Sequence, residues 1–317
     1  MSIKQNISLV VPVYNESFII RDFYKSLNET ITTLEKYNWE IIFVDDGSLD
    51  NTWTIIQDFV THNPNIRGVK LSRNFGKEIA LTAGVESTSN SDAVIFMDGD
   101  LQHPPFIIKD ILFEWEKGFQ IVSTKRLSIQ YSIVRKLGSR LFYYMLNKFS
   151  EIKIEPMATD FRLLDKKVVA VLLTFNERTR FFRGLVDWMG FKKTVITFSA
   201  PNIKGGSSSF SLRDLFNLAI NSFTAFSLFP LRVSGWLGVL VIMITSMITI
   251  YMFTTHIVLN LTYYTPSAYF MVFNTFLFGV VLAALGLVAL YIGHILTEVV
   301  RRPLYILNDK IGFKRDG

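Results

Sequence analysis

The sequence predicts an α/β fold: a mostly parallel, Rossmann-like sheet with helices on its faces, followed by helices that associate with a membrane. Three observations lead there. Between residue 1 and about residue 200, short and nearly continuous apolar runs alternate with stretches of helical length. Three of those runs end in acidic turns. Further on, Val233 to Thr297 is a run of 65 residues without Asp, Glu, Lys or Arg.

The apolar runs are "ISLVVPV" (7–13), "WEIIFV" (39–44), "IRGVKL" (66–71), "DAVIFM" (92–97) and "FQIVST" (119–124). They lack a strict polar–apolar alternation, as strands buried on both faces do. Segments 17–36, 50–61, 75–87 and 105–117 between them have the length and pattern of helices. This rhythm predicts an open α/β sheet that binds its ligand at the carboxyl ends of the strands. The first domain is expected over residues 1–210, ending in the Gly- and Ser-rich loop "PNIKGGSSSF" (201–210). Residues 211–232, apolar and aromatic with sparse charge, read as a helix in the membrane interface. Ser211 would cap it, with Asp214 in its first turn. Two bilayer crossings need roughly 40 apolar residues. The polar patch "LNLTYYTPS" divides 233–297 into two spans, at about 234–257 and 269–294. Residues 298–317 form a tail.

Charge gives the expected orientation. Arg213 and Arg232 precede the first span, and Arg301, Arg302, Lys310, Lys314 and Arg315 follow the second, whereas the linker has no Lys or Arg. The positive-inside rule then places both termini and the first domain in the cytoplasm, at a cell membrane crossed twice. The opening "MSIKQNISLVVPVYNE" reads as a strand rather than a signal peptide, because its apolar run is short and ends in turn residues. With no cysteine, disulfides and Cys-ligated zinc are excluded. The net charge of +6 suits an anionic membrane surface or phosphate-bearing substrates. No nucleic-acid motif accompanies it. A homo-oligomer is compatible with the chain.

The acidic turns carry the chemistry. Strand one ends in Pro12-Val13-Tyr14-Asn15-Glu16, strand two in Val44-Asp45-Asp46-Gly47-Ser48, and strand four in Asp98-Gly99-Asp100. Three such turns at one sheet edge repel one another unless a cation or hydrogen-bond donors join them. A divalent ion with oxygen ligands, its shell completed by substrate phosphates, meets that need. There is no G-x-G-x-x-G and no G-x-x-x-x-G-K-[ST], so dinucleotide oxidoreductases and P-loop NTPases lose their signature. A two-metal phosphatase or nuclease would use Asp clusters, but gives no reason for membrane helices.

The chain resembles the family 2 glycosyltransferases, and within them the polyprenyl-phosphate glycosyltransferases related to dolichyl-phosphate mannose synthase. The resemblance runs through "VVPVYNE" (10–16), "VDDGSLDNT" (44–52), "LSRNFGKE" (71–78), "MDGDLQHPP" (97–105), "TDFRLLD" (159–165), "RFFRGLVDWMGF" (180–191) and "YIGHILTEVVRRPLYI" (291–306). It implies the GT-A fold and inverting transfer of a sugar from a nucleotide sugar to undecaprenyl phosphate. UDP-glucose is the first expectation for the donor and UDP-N-acetylglucosamine the second. It assigns the nucleotide to Pro12, Tyr14, Glu16, Val44, Asp46, Asp98, Gly99 and Asp100, and Mg²⁺ or Mn²⁺ to Asp98, Asp100 and Gln102. The acceptor phosphate falls to Arg126, Arg135 and Ser139. Asp100, Asp160 and Arg126 are the implied catalytic residues. Asp160 would orient or activate the acceptor, with Arg162 as its expected ion-pair partner. Arg180 and Arg183 are candidates to face phosphates or lipid headgroups.

Three departures stand out. Gly99 replaces the alanine common in relatives. His103 stands where many relatives have Asp, and reads as a support for the turn rather than a metal ligand. In the 201–210 loop, Ile203, Ser209 and Phe210 replace an arginine, a lysine and a tyrosine, with Lys204 one residue from the arginine position. Two other functions compete. A processive polysaccharide synthase of the same fold would carry Q-x-x-R-W and more spans, and neither is present. A catalytically weak membrane scaffold would lack nucleotide-dependent turnover.

Overall fold

The computed structural model describes residues 4–126, 158–175, 177, 182–198, 247, 250, 254, 265–300 and 302–313. The chain divides into two compact units, residues 1–143 with 153–209 and 302–317, and residues 144–152 with 210–301. The interfacial helix expected at 211–232 and nearly all of the first expected span lie outside the described residues.

The first unit is built on one eight-stranded sheet. Its elements are β1 (Gln5–Val13), α1 (Ile20–Thr32), β2 (Tyr37–Asp45), α2 (Thr52–His62), β3 (Ile66–Leu71), α3 (Lys77–Glu86) and β4 (Ala93–Phe96). A 3₁₀ turn (Pro105–Ile107) leads to α4 (Ile108–Glu116), β5 (Ile121–Arg126), β6 (Ala158–Asp165), α5 (Lys166–Leu172), α6 (Phe182–Trp188) and β7 (Lys193–Phe198). After α7 (Pro266–Val300) the chain supplies β8 (Leu307–Ile311). The strand order is β7-β5-β6-β4-β1-β2-β3-β8. β6 and β8 run antiparallel to their neighbours and the other strands run one way. The five expected strands are all present.

The apolar runs form strands because helices bury both of their faces. In α1, Ile20, Phe23, Leu27 and Ile31 make a stripe at helical spacing that lies in the same buried cluster as Leu9, Val11 and Phe43. On α3, six consecutive residues from Ala80 to Val85 are buried, so the small Ala80, Ala83 and Gly84 allow close approach to the sheet. Phe23 is fully buried, and truncating such a ring to alanine costs about 3–5 kcal/mol.

Register places the acidic turns side by side. Val13 of β1 pairs with Asp45 of β2, and Val10 pairs with Phe96 of β4, all parallel. The residues after these strands therefore emerge at one edge. β6 lies antiparallel to β4 with Arg162 opposite Phe96, a register that leads Asp160 toward Asp98. Asp165 fixes the far end of β6: it caps α5 by accepting the Lys167 N–H and receives the Trp115 indole N–H at 2.9 Å.

β8 is the largest difference from the sequence expectation, which gave residues 298–317 no element. It pairs with β3, Lys310 opposite Val69. The Ser72 N–H donates to the Ile306 carbonyl at 2.9 Å, and the Tyr305 hydroxyl donates to Glu86 at 2.5 Å. A Cβ on Gly68 would lie 2.9 Å from side-chain carbons of both Ile311 and Ile56, so glycine there makes the room in which Ile311 packs. Among the described residues taken alone, no helix is long and apolar enough to cross a membrane. The α7 backbone itself is continuous for 35 residues.

Candidate active site

The turns after β1 and β2 are stitched together by short polar contacts. The Asn15 N–H donates to the Ser48 hydroxyl, and the Asn15 side-chain oxygen accepts the Leu49 N–H, both at 2.9 Å. The Glu16 N–H donates to the Thr52 hydroxyl at 2.9 Å. Asn15 and Leu101, one in each of two acidic turns, adopt positive φ of 54° and 58°. Non-glycine residues rarely do so, and such conformations gather at binding sites.

Asp46 holds the loop that follows β3. Its carboxylate oxygens accept the Phe75 and Gly76 N–H groups at 2.8 and 2.9 Å. This sets the start of α3 and hands Lys77 to the site. The Lys77 ammonium donates to Asp98 Oδ1 at 2.7 Å and to Asp160 Oδ2 at 2.6 Å. Burial works against its charge, but Asp98 and Asp160 outweigh that and hold it above the usual lysine range.

Asp160 is buried, with a second cation beside it. Arg183 Nε meets Oδ1 at 2.5 Å and its terminal nitrogen meets Oδ2 at 3.0 Å, a forked contact. Burial alone would favour the neutral acid, yet Lys77 and Arg183 keep Asp160 well below the usual carboxylate range. The expected partner Arg162 is not the one in direct contact: its guanidinium, fully buried, donates to the Thr159 carbonyl at 2.9 Å. Glu78, next to Lys77, accepts the Phe182 N–H at 2.8 Å, which ties α3 to the start of α6 and sets the position of Arg183. Burial, then the Asp160 charge, push the Glu78 carboxyl upward.

In the D-x-D turn, the Gln102 N–H donates to Asp100 Oδ1 at 3.0 Å and tightens the bend. A Cβ on Gly99 would stand 2.9 Å from Val13 Cγ1. An alanine there would thus require Val13 to shift. His103 is buried with its ring 5.5 Å from that of Phe161 and 5.8 Å from that of Phe198. Its Nδ1 lies 3.5 Å from Asp98 Oδ2. The ligating atoms of Asp98, Asp100 and His103 all fall within 4.8 Å of one another. The two carboxylates of Asp98 and Asp100 are hard oxygen donors of the kind that Mn²⁺ or Mg²⁺ accept, so they fit a divalent ion, with His103 buried beside them. Glu16, facing these carboxylates, is pushed up to about 7 by burial and by the Asp100, Asp50 and Asp98 charges.

The structure therefore brings Glu16, Asp46, Asp98, Gly99, Asp100, Gln102 and Asp160 to one edge. Pro12 and Val44 are buried and directly opposed in β1 and β2, while Tyr14 is exposed. Arg126 ends β5. Arg135, Ser139, Arg180 and the 201–210 loop lie outside the described residues. Sequence reasoning missed Lys77 and Glu78 as site residues and left Arg183 without a partner. The available signal was position: "NFGKE" follows the third strand at the same edge as the acidic turns.

Residues 8–173 match the model of Glycosyl transferase family 2. The chain is 38% identical over 304 residues to the SfII prophage-derived bactoprenol glucosyl transferase of Shigella flexneri, covering 95% of this chain and 97% of that one. It is 37% identical over 310 residues to an uncharacterized glycosyltransferase of Synechocystis sp., covering 97% and 96%. With the putative glycosyltransferase CsbB of Bacillus subtilis it shares 33% over 305 residues, covering 96% and 91%. Among solved structures, glucosyl-3-phosphoglycerate synthase of Mycobacterium tuberculosis with Mn²⁺, UDP and phosphoglyceric acid aligns at 19% identity and TM-score 0.46, over 69% of this chain and 76% of that one. A family model spanning half the chain, and relatives matched along nearly their whole length at 33–38% identity, establish that the chain belongs to glycosyl transferase family 2 and is a glycosyltransferase.

Proposed function

We propose that the protein transfers glucose, with inversion, from UDP-glucose to undecaprenyl phosphate at the cytoplasmic face of the membrane. The observation that carries this reading is the 38% identity to the bactoprenol glucosyl transferase of Shigella flexneri over 97% of that protein's length. A phosphate oxygen of the acceptor attacks C1 of the sugar, the bond from C1 to the diphosphate breaks, and UDP leaves. A divalent ion held by Asp98, Asp100 and Gln102 would stabilise the charge that develops on the diphosphate, an effect worth several kcal/mol. The geometry of Asp98 and Asp100, with His103 behind them, supports that assignment. A phosphate monoester has a second pKa near 6, so the acceptor arrives ionised and needs no strong base. Asp160 fits this chemistry: held ionised by two cations, it orients Lys77 and Arg183 rather than accepting a proton. Arg126, Arg135 and Ser139 are the proposed acceptor-phosphate contacts.

Two features support membrane attachment. From Pro266 to Thr297, α7 contains no Asp, Glu, Lys or Arg. At about 1.5 Å per residue its 35 residues reach well past a hydrocarbon core of roughly 30 Å. Its Phe270, Met271, Leu285, Ile292, Ile295 and Val299 are exposed, as befits a helix that meets lipid. Because β8 returns to the sheet that β1 to β4 form, any crossings between residue 210 and residue 306 must be even in number. This agrees with two spans and with both termini in the cytoplasm. The experiment is incubation of purified protein with undecaprenyl phosphate and a panel of radiolabelled nucleotide sugars. Label from UDP-glucose is expected in the organic phase. Label only from another donor would replace glucose, and label from none would reject the reading.

A further inference from the structure

We propose that Lys77 is the gate of the metal site: its ammonium occupies Asp98 before the metal loads and yields that carboxylate oxygen when the ion arrives. The inference rests on the D-x-D turn being the metal site, and goes further by assigning a residue that controls its loading. The argument is about which neighbour of Asp98 can move. Both Asp98 oxygens have one, Lys77 Nζ at 2.7 Å from Oδ1 and His103 Nδ1 at 3.5 Å from Oδ2. His103 cannot give way. It is 1% exposed, and its ring is packed among Phe161 and Phe198 on β6 and β7. Lys77 can: its side chain is 40% exposed, on a flexible four-carbon stem.

Lys77 also has somewhere to stay. It holds Asp160 Oδ2 at 2.6 Å, so on leaving Asp98 it keeps a carboxylate partner. Its backbone is fixed, because Asp46 clamps the preceding N–H groups of Phe75 and Gly76. The movement is thus a side-chain rotation and not a loop opening. An ammonium left beside a divalent ion on the same carboxylate would be repelled by it. Metal loading therefore weakens the contact between Lys77 and Asp98 and favours the position in which Lys77 stays on Asp160 alone. The useful consequence is order: the turn resists metal alone, and a donor that brings diphosphate oxygens along with the metal offsets the lost contact.

The test measures Mn²⁺ binding to the full-length, detergent-purified protein without nucleotide, from the loss of the free-ion paramagnetic resonance signal. Lys77→Met should bind Mn²⁺ at least about tenfold more tightly than wild type, because a competing cation is gone. Lys77→Arg, which keeps a cation, should stay within about threefold of wild type. A second measurement needs no variant. Modification of wild-type Lys77 by acetic anhydride, read by mass spectrometry, should rise several-fold on saturation with Mn²⁺. If wild type binds Mn²⁺ but Lys77→Met binds no tighter and Lys77 labelling is unchanged by the metal, the gate is refuted and the metal site stands. If wild type and Lys77→Met both fail to bind Mn²⁺ with UDP added as well as without it, the gate and the metal assignment fall together.

Discussion

Arg183→Met is the sharpest structural perturbation of the site. Arg183 makes a forked contact with Asp160, a carboxylate whose side chain is 6% exposed. Removing one partner of a buried ion pair costs about 3–5 kcal/mol, because the remaining charge stays buried without compensation. Here Lys77 stays on Asp160 Oδ2 at 2.6 Å, and the Arg183 side chain is itself 30% exposed. The low end of the range, about 3 kcal/mol, is therefore the expected loss. For a folded unit of this size, each kcal/mol moves the melting temperature by roughly 2–4 °C, so the variant should melt about 6–12 °C lower. The assay is thermal unfolding of detergent-purified protein followed by tryptophan fluorescence. The same substitution in an Asp160→Asn background should cost about 1 kcal/mol or less, since no buried charge is then abandoned. A drop of less than about 2 °C in the single variant, or an equal drop in both backgrounds, would refute the assignment of Arg183 as the partner of Asp160.

Other expectations follow from the same site and from the chain's course. Glu16, raised to about 7, holds a proton in the folded state that the unfolded chain has already released. Its contribution to stability is complete below about pH 4.5 and is lost as pH rises through about 7, so Glu16→Gln should raise the melting temperature at pH 8 and change it little at pH 5; an equal change at both would contradict this. The chain has no native cysteine, so Ser2→Cys and Ser267→Cys can be probed in intact cells with a membrane-impermeant thiol reagent. Labelling is expected at position 267 only, and the reverse pattern would invert the topology. Arg135→Ala should raise the apparent KM for polyprenyl phosphate and leave calorimetric nucleotide-sugar affinity within about twofold, as loss of an arginine–phosphate contact on the acceptor side requires. Loss of nucleotide binding with normal lipid saturation would move that arginine to the donor side.

The parts of the fold that were legible in the sequence are those where burial is uniform. β4 and the carboxyl-terminal halves of β1 and β2 are buried on both faces, so their apolar runs stand out without alternation, and β3 shows through Ile66, Val69 and Leu71 although Arg67 and Lys70 interrupt it. β6 was legible as a motif and not as a strand, because "TDFR" places Asp160 and Arg162 where an apolar pattern is expected. Both charges are buried; Lys77 and Arg183, far along the chain, make that tolerable for Asp160, while Arg162 donates to the nearby Thr159 carbonyl. β8 carried no signal because "LNDKI" is an exposed edge strand whose pairing depends on space left by Gly68. The site divides in the same way. The acidic turns announce themselves by type and spacing. Lys77 and Arg183 do not, since a lysine opening a helix and an arginine beside phenylalanines look like surface charge until Asp160 is seen between them. Arg162 was expected beside Asp160 from proximity in sequence, but successive strand residues two apart share a face without sharing a hydrogen bond, and its guanidinium turns back to Thr159.

The central claim is that this chain moves a sugar onto a polyprenyl phosphate through the D-x-D turn. The direct measurement is transfer of radiolabelled glucose from UDP-glucose to undecaprenyl phosphate by the purified protein with Mg²⁺ or Mn²⁺, for wild type, wild type in excess EDTA, and Asp100→Asn. The account predicts label in the organic phase for wild type and a loss of roughly a thousandfold or more in the other two, the kinetic equivalent of several kcal/mol of lost charge stabilisation. Asp100→Asn keeping more than about half of wild-type transfer, or full transfer in EDTA, would contradict it, since either would mean that several kcal/mol of metal stabilisation is not in use.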